Sequence, residues 1–180
     1  MASSYTERLI GAARLDADTY EKVEADPSAL GQAMATVVLA SIAAGIGTFR
    51  DGGISGLVMV TLGSLIGWFI WAGLTYLIGT KMLPEEQTEA DMGQLLRTTG
   101  FASSPGLLRI LGIVPVLGAL VGLIVSVWML IAFVVAVRQA LDYKSTGRAV
   151  AVCLIGFVVY LAFVFGLSLV AGVGAAVFGG

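Results

Sequence analysis

Four long stretches of this chain, residues 28–49, 52–80, 110–137 and 149–180, contain no Asp, Glu, Lys or Arg. A helix needs about 20 apolar residues to cross the ~30 Å hydrocarbon core of a bilayer, and each stretch is long enough. The pattern predicts spans over 29–49, 54–80, 117–138 and 149–171. A further apolar run, residues 101–114, fits less well, because it contains Pro105 and Arg109 and stops at Pro115. As a helix its roughly 14 residues rise only ~21 Å, short of the membrane thickness. This third span must start earlier, near Leu95, or be kinked or broken. The connection after it is apolar, so the third and fourth spans form a tight hairpin close to the membrane surface.

The polar positions mark what joins the spans. Arg50-Asp51-Gly52-Gly53 reads as a tight turn, residues 81–91 as a loop with Pro84, and 142–148 as a short polar loop. Thr88 or Asp91 can cap a helix containing Met92, Leu95 and Leu96. Before the first span, residues 3–26 are amphipathic, with Tyr5, Leu9, Ala12 and Ala13 at helical spacing. A second short helix is expected from Asp18, with Glu21 in a capping-box arrangement. Asp26-Pro27 is a good helix start, an Asp cap before a Pro at the first helical position. The opening segment reads either as helices lying on the membrane surface or as a solvated lead-in to the first span.

Composition agrees with a membrane setting: 58% hydrophobic, 12% charged and a mean hydropathy of +0.96, where a soluble domain is ~25% charged. The charge map then orients the spans. With five spans and a cytoplasmic N-terminus, Arg8, Arg14, Lys22, Lys81, Arg97, Arg138, Lys144 and Arg148 fall inside, and only Arg50 and Arg109 outside. That is the positive-inside pattern. Removing the third span would move Arg138, Lys144 and Arg148 outside, so the charges support the weakest span. The expectation is an all-α polytopic membrane protein: a cytosolic or interfacial segment over 1–27 and a five-helix transmembrane domain over 28–180. No cleavable signal peptide, myristoylation site or prenylation box is visible.

Candidate chemistry is sparse. There is no histidine, and the lone Cys153 sits in an apolar run and reads as packing. The carboxylates Glu85, Glu86, Glu89 and Asp91 lie in a connecting loop beside no other ligand type and read as solvated. Ser64, Thr75, Ser126 and Ser168 have no base at hand to make any of them a nucleophile. No catalytic, cofactor-binding or metal-binding residue is assigned, and no cofactor is expected. Trp68, Trp71 and Tyr76 read as packing or interfacial anchors.

Arg109, between Pro105 and Pro115, is the one charge well inside an apolar run, and intramembrane charges are costly and often functional. It can face the bundle interior and contact a substrate or lipid headgroup, or it can snorkel to the outer surface, about six residues (~9 Å) away, and pair with Asp51. The snorkelling reading is preferred. Small residues repeat at four-residue spacing in Gly52/Gly56, Gly63/Gly67 and Gly118/Gly122; they permit close helix contact, within the bundle or in a dimer. Expected partners are membrane lipids and other membrane proteins or a second copy. A basic patch suited to nucleic acid is lacking.

Three blocks carry a family resemblance: "YTERLIGAARLDADTYEKVEADPSALGQA", "GFASSPGLLRILGIVPVLG" and, after Trp128, "AVRQALDYKSTGRAVAV". Together they resemble the Yip membrane-domain family, the Ypt/Rab-GTPase-interacting proteins and their prokaryotic relatives, with the opening block like that of bacterial members. The resemblance implies a five-helix integral membrane protein with a cytosolic N-terminus; the expected localisation is a multi-pass protein of the bacterial inner membrane with its C-terminus outside. Eukaryotic members act in early secretory transport and bind prenylated Rab GTPases. This chain lacks their "DLYGP"-type motif and long cytosolic N-terminal domain, so Rab-type GTPase binding is not carried over. Two functions follow as expectations: a non-enzymatic membrane organiser or adaptor, and, as the alternative, a small transporter or channel using the broken third span.

Overall fold

The computed structural model describes the backbone of residues 4–47, 49–114 and 116–178, and the side chains among them except 49–52, 164 and 167–178. The described residues form helices and no strands. The helices are α1 (Tyr5–Ala13), α2 (Ala17–Ala25), α3 (Leu30–Gly47), α4 (Phe49–Leu77), α5 (Met92–Phe101), α6 (Gly118–Ala140) and α7 (Thr146–Phe178). A 3-10 turn, Pro27–Ala29, leads into α3; a π turn, Ile78–Met82, ends α4; and a 3-10 helix, Ser104–Ile113, follows α5. Pro27–Gly47, Gly53–Met82, Gly118–Ala140 and Thr146–Phe163 are each long and apolar enough to cross a membrane. The fold is that of an all-α membrane protein.

Local sequence explains most element ends. The Asp26 carboxylate accepts from the Ser28 amide at 3.0 Å, capping the turn that Pro27 begins. Asp91 and Gln94 form a reciprocal capping box on α5, so Asp91 and not Thr88 is the cap. Two expectations are corrected. No box forms at Asp18 and Glu21; α2 starts at Ala17, and Asp16 instead accepts from the Thr19 hydroxyl at 2.6 Å. The turn expected over 50–53 is a sharp break at Gly53 (φ 56°, ψ −154°) within α4, a conformation open only to glycine. The side chains of Arg50 and Asp51 lie outside the described residues.

The third predicted span is broken. After α5 the chain turns at Ala102-Ser103 and continues as a ten-residue 3-10 helix. Pro105 removes a backbone donor at its start. A 3-10 helix rises ~2.0 Å per residue against ~1.5 Å for an α-helix, so ten residues extend ~20 Å rather than ~15 Å. That recovers length the short run lacks. The segment runs parallel to α3. A Cβ placed on Gly100 would lie 2.7 Å from the Ala33 Cβ, one on Gly106 3.0 Å from the Ala40 Cβ, and one on Gly47 2.5 Å from the Arg109 carbonyl oxygen. The register follows from pitch: two α turns separate Ala33, Ala40 and Gly47 (~10.5 Å per step), and two 3-10 turns separate Gly106 and Gly112 (~12 Å).

The first two helices are part of the core. They form a hairpin whose Ala12, Tyr20 and Val23 are fully buried with Leu95, Phe101 and Leu141. Tyr5 packs edge-on against Phe101 and bonds the Thr36 hydroxyl at 3.1 Å. Trp128, in the middle of α6, donates to the Ala13 carbonyl at 2.8 Å, an acceptor left open at the end of α1. The hairpin is thus packed against the bundle.

Candidate functional site

Midway along the long helices, on the side of α3 toward its C-terminal half, packing is loose. A cavity of about 640 Å³ opens between α3, α4, the 3-10 helix, α6 and α7. Val37 and Ala40 of α3, Trp68 and Trp71 of α4, Met129 and Phe133 of α6 and Tyr160 of α7 form its apolar wall, and Ser41, Ser64 and Ser103 contribute hydroxyls. Trp71 stacks edge-on against Phe133 at 5.9 Å, and its indole N–H is buried without a hydrogen-bond partner among the described residues.

Arg109 lines this cavity. Its side chain is half-buried, and Nη2 donates to the Ser126 hydroxyl at 3.3 Å. No carboxylate among the described side chains comes within ion-pair distance of it; the expected pairing with Asp51 lies outside them. Arg109 thus lines the cavity and reaches α6. Pro105 is buried one turn before it, and Pro115 lies outside the described residues.

The four candidate packing glycines divide. Gly67 approaches the Tyr160 hydroxyl, 3.2 Å from its would-be Cβ, and Gly118 the Gly112 carbonyl at the same distance. Gly63 and Gly122 have nothing within 4 Å, which corrects the expectation of close helix contact within the bundle at those two; Gly63 instead leaves space in the cavity wall. Closer approaches occur between α3 and the α5–3-10 segment at Gly100, Gly106 and Gly47, and against side chains at Gly11, Gly45 and Gly79, where a four-residue repeat does not look.

The end of the bundle opposite Gly47 and Gly118 is knitted together. Arg97 is buried; its Nε donates to the Val23 and Glu24 carbonyls, each at 3.0 Å, and its Nη2 to Glu24 again. Arg8, also buried, donates to Asp26 at 2.6 Å and to Gln32 at 3.1 Å. Gln139 reaches Glu21 at 2.9 Å. The Tyr143 hydroxyl sits between the Gly79 and Leu83 carbonyls at 2.9 and 2.7 Å. Glu85, expected to be solvated, accepts from the Lys144 amide at 3.0 Å and pairs with Arg148 at 3.5 Å, while Arg148 also donates to the Pro84 carbonyl at 2.6 Å. The loops after α4 and α6 are thereby tied to each other and α5 to the hairpin.

Electrostatics follow from these contacts. The Lys144 amide holds the Glu85 carboxyl below its ordinary range, and hydrogen bonds from Ser28 and Arg8 do the same for Asp26. Glu24 goes the other way: burial, then the charge of Asp142, raises it from 4.5 to about 7 against the pull of Arg97. Sequence reasoning missed Arg97, Tyr143 and Trp128 as organising residues. The only signal was that Arg97 lies on α5 among residues that fall on its buried face.

The family described as the Yip1 domain matches residues 16–166, from the start of α2 far into α7. The match spans the cavity and, apart from Arg8, the residues of the knitted end. Searches of curated proteins and of solved structures each found no match.

Proposed function

The chain belongs to the Yip1-domain family, and we propose that within it this protein is a non-enzymatic organiser or adaptor that holds other membrane proteins or lipids in a cell membrane, such as a bacterial inner membrane. The N-terminus faces the cytoplasm, the composite α5–3-10 segment makes a fifth crossing, and the C-terminus faces outward. The observation that carries this reading is the knitted end. Contacts made by Arg8, Arg97, Gln139, Tyr143 and Arg148 join segments far apart in the chain. A surface held in one shape binds a partner at a smaller ordering cost than a floppy one. Its exposed rim carries Glu86, Glu89, Lys81 and Lys144, suited to recognising a charged partner face.

The test is mild cross-linking in native membranes, comparing wild type with Glu86→Lys/Glu89→Lys. The reading expects a discrete partner adduct that the double charge reversal removes at unchanged expression. A strictly solitary protein, or an adduct indifferent to the reversal, contradicts it. A transporter is the second reading, favoured by the cavity lined from all five long segments and by the broken crossing, features that transporters share. It predicts solute flux in proteoliposomes, and no flux across a broad solute panel removes it.

A further inference from the structure

We propose that the cavity is a lipid-binding site: one acyl chain of a phospholipid from the leaflet at the Gly47/Gly118 end fills it, and Arg109 holds that lipid's phosphate. The inference deepens the lipid part of the function above and takes its orientation from that reading.

Four observations converge. The volume, about 640 Å³, lies in the range of small-molecule sites, roughly 300–1,000 Å³, and far exceeds the voids of close-packed interiors. The wall is mainly apolar, with aromatic side chains from α4, α6 and α7. Among the lining residues Arg109 is the charged one, and it stands to one side. Its carbonyl faces Gly47 near the end of α3 and its guanidinium reaches Ser126, while the wall continues past Ala40 and Val37 to Trp71 and Phe133, with the Ser41, Ser64 and Ser103 hydroxyls set along it. A phospholipid likewise carries its charge at one end and hydrocarbon along the rest. Finally, a guanidinium carries five N–H donors, and the Ser126 hydroxyl accepts one of them. A phosphate takes two parallel N–H bonds from arginine, and in a low-dielectric setting it also offsets the cost of the charge.

Gly63 has nothing within 4 Å of its would-be Cβ and lines the cavity, so Gly63→Leu obstructs the tail without touching the headgroup contact. The experiment uses full-length protein, stripped of lipid in detergent and titrated with phosphatidylglycerol. Binding is read by native mass spectrometry and, with acyl-chain-brominated lipid, by quenching of the cavity tryptophans. Wild type is expected to hold one lipid and to be quenched. Arg109→Gln should weaken binding about tenfold or more, the equivalent of one lost charge-assisted hydrogen bond, with Arg109→Lys recovering part of it. Gly63→Leu should abolish the quenching. Inorganic phosphate alone should neither occupy the site at comparable concentration nor displace the lipid.

Equal binding by wild type, Arg109→Gln and Gly63→Leu overturns the proposal, as does displacement by inorganic phosphate, which identifies a free-anion site. Should a variant fail to fold, the brominated lipid on wild type still decides: absence of quenching contradicts an acyl chain beside Trp68 and Trp71. The adaptor reading is tested on Glu86 and Glu89, so the two failures are separable.

Discussion

Arg97 and Arg109 stand on the two halves of one broken segment, residues 92–113, and their surroundings differ in kind. Arg97 is buried and donates to two backbone carbonyls of a distant helix. Arg109 is half-buried and donates to one hydroxyl on α6. Around Arg97, side chains bind segments far apart in the chain; around Arg109, helices meet through glycines and leave a cavity. The positive charges at the knitted end therefore do more than set a charge pattern along the chain. Several are spent on backbone acceptors that loops and helix ends leave open. Among the described residues Arg109 makes one side-chain hydrogen bond, to Ser126.

The largest effect should come from the contact joining both halves to α3. Gly100→Leu drives a side chain into Ala33 and its carbonyl, and overpacking of this kind costs about 3 kcal/mol; a loss of folded protein in size-exclusion profiles checks it. Gly122→Leu, with open space around it, is expected to leave the profile unchanged.

Removing the two arginines sharpens the comparison directly. Arg97→Ala orphans the carbonyls of Val23 and Glu24 and should destabilise by about 2–3 kcal/mol, with faster hydrogen exchange through α1 and α2. Arg109→Gln in lipid-free detergent should change stability by less than about 0.5 kcal/mol. Similar losses from both would erase the distinction between the ends.

Glu24 gives the knitted end a pH signature. With its pKa raised from 4.5 to about 7, the folded protein keeps a proton that the unfolded chain has released between those values. Stability therefore falls as pH rises through that window, and the loss is complete above it. Glu24→Gln keeps an acceptor for Gln94, which now donates to Glu24 at 2.9 Å, and removes the titration. The variant should melt higher than wild type near pH 8, and the gap should narrow toward about pH 5. A pH-independent gap contradicts the assignment.

The smallest effect concerns the end of α6. Tyr143 and Asp142 donate their amides back to the Arg138 and Gln139 carbonyls, and Asp142 takes the left-handed conformation, φ 53°, that glycine ordinarily supplies in this cap. Asp142→Gly is expected to stabilise by roughly 0.5–1 kcal/mol, measured by thermal melting near pH 5, where Glu24 is protonated.

The long apolar helices were legible because hydrocarbon demands uninterrupted apolar runs, and the break after α5 was announced by the shortness of the run and by Pro105. Its 3-10 form was not, since pitch is settled by fitting Gly106 and Gly112 against α3 rather than by local preference. The same mismatch hid the close-contact glycines: a four-residue repeat finds ridges between two α-helices, while here steps of seven on α3 meet steps of six on a 3-10 helix. The knitted end escaped because its bonds join residues far apart in sequence, such as Arg97 to Val23 and Trp128 to Ala13. Arg109 was legible as a lone intramembrane charge, but the cavity around it arises only from the meeting of five segments.

The knitted end and the Gly47/Gly118 end face opposite sides of the membrane only if residues 92–113 cross it. Single cysteines placed by Glu86→Cys, before α5, and Val116→Cys, after the 3-10 helix, test this in a Cys153→Ala background; both positions are exposed, Val116 at 88%. With a membrane-impermeant maleimide on intact cells, Val116→Cys should react at once and Glu86→Cys only after permeabilisation. Labelling of both from the same side would contradict the crossing and with it the separation of the two ends.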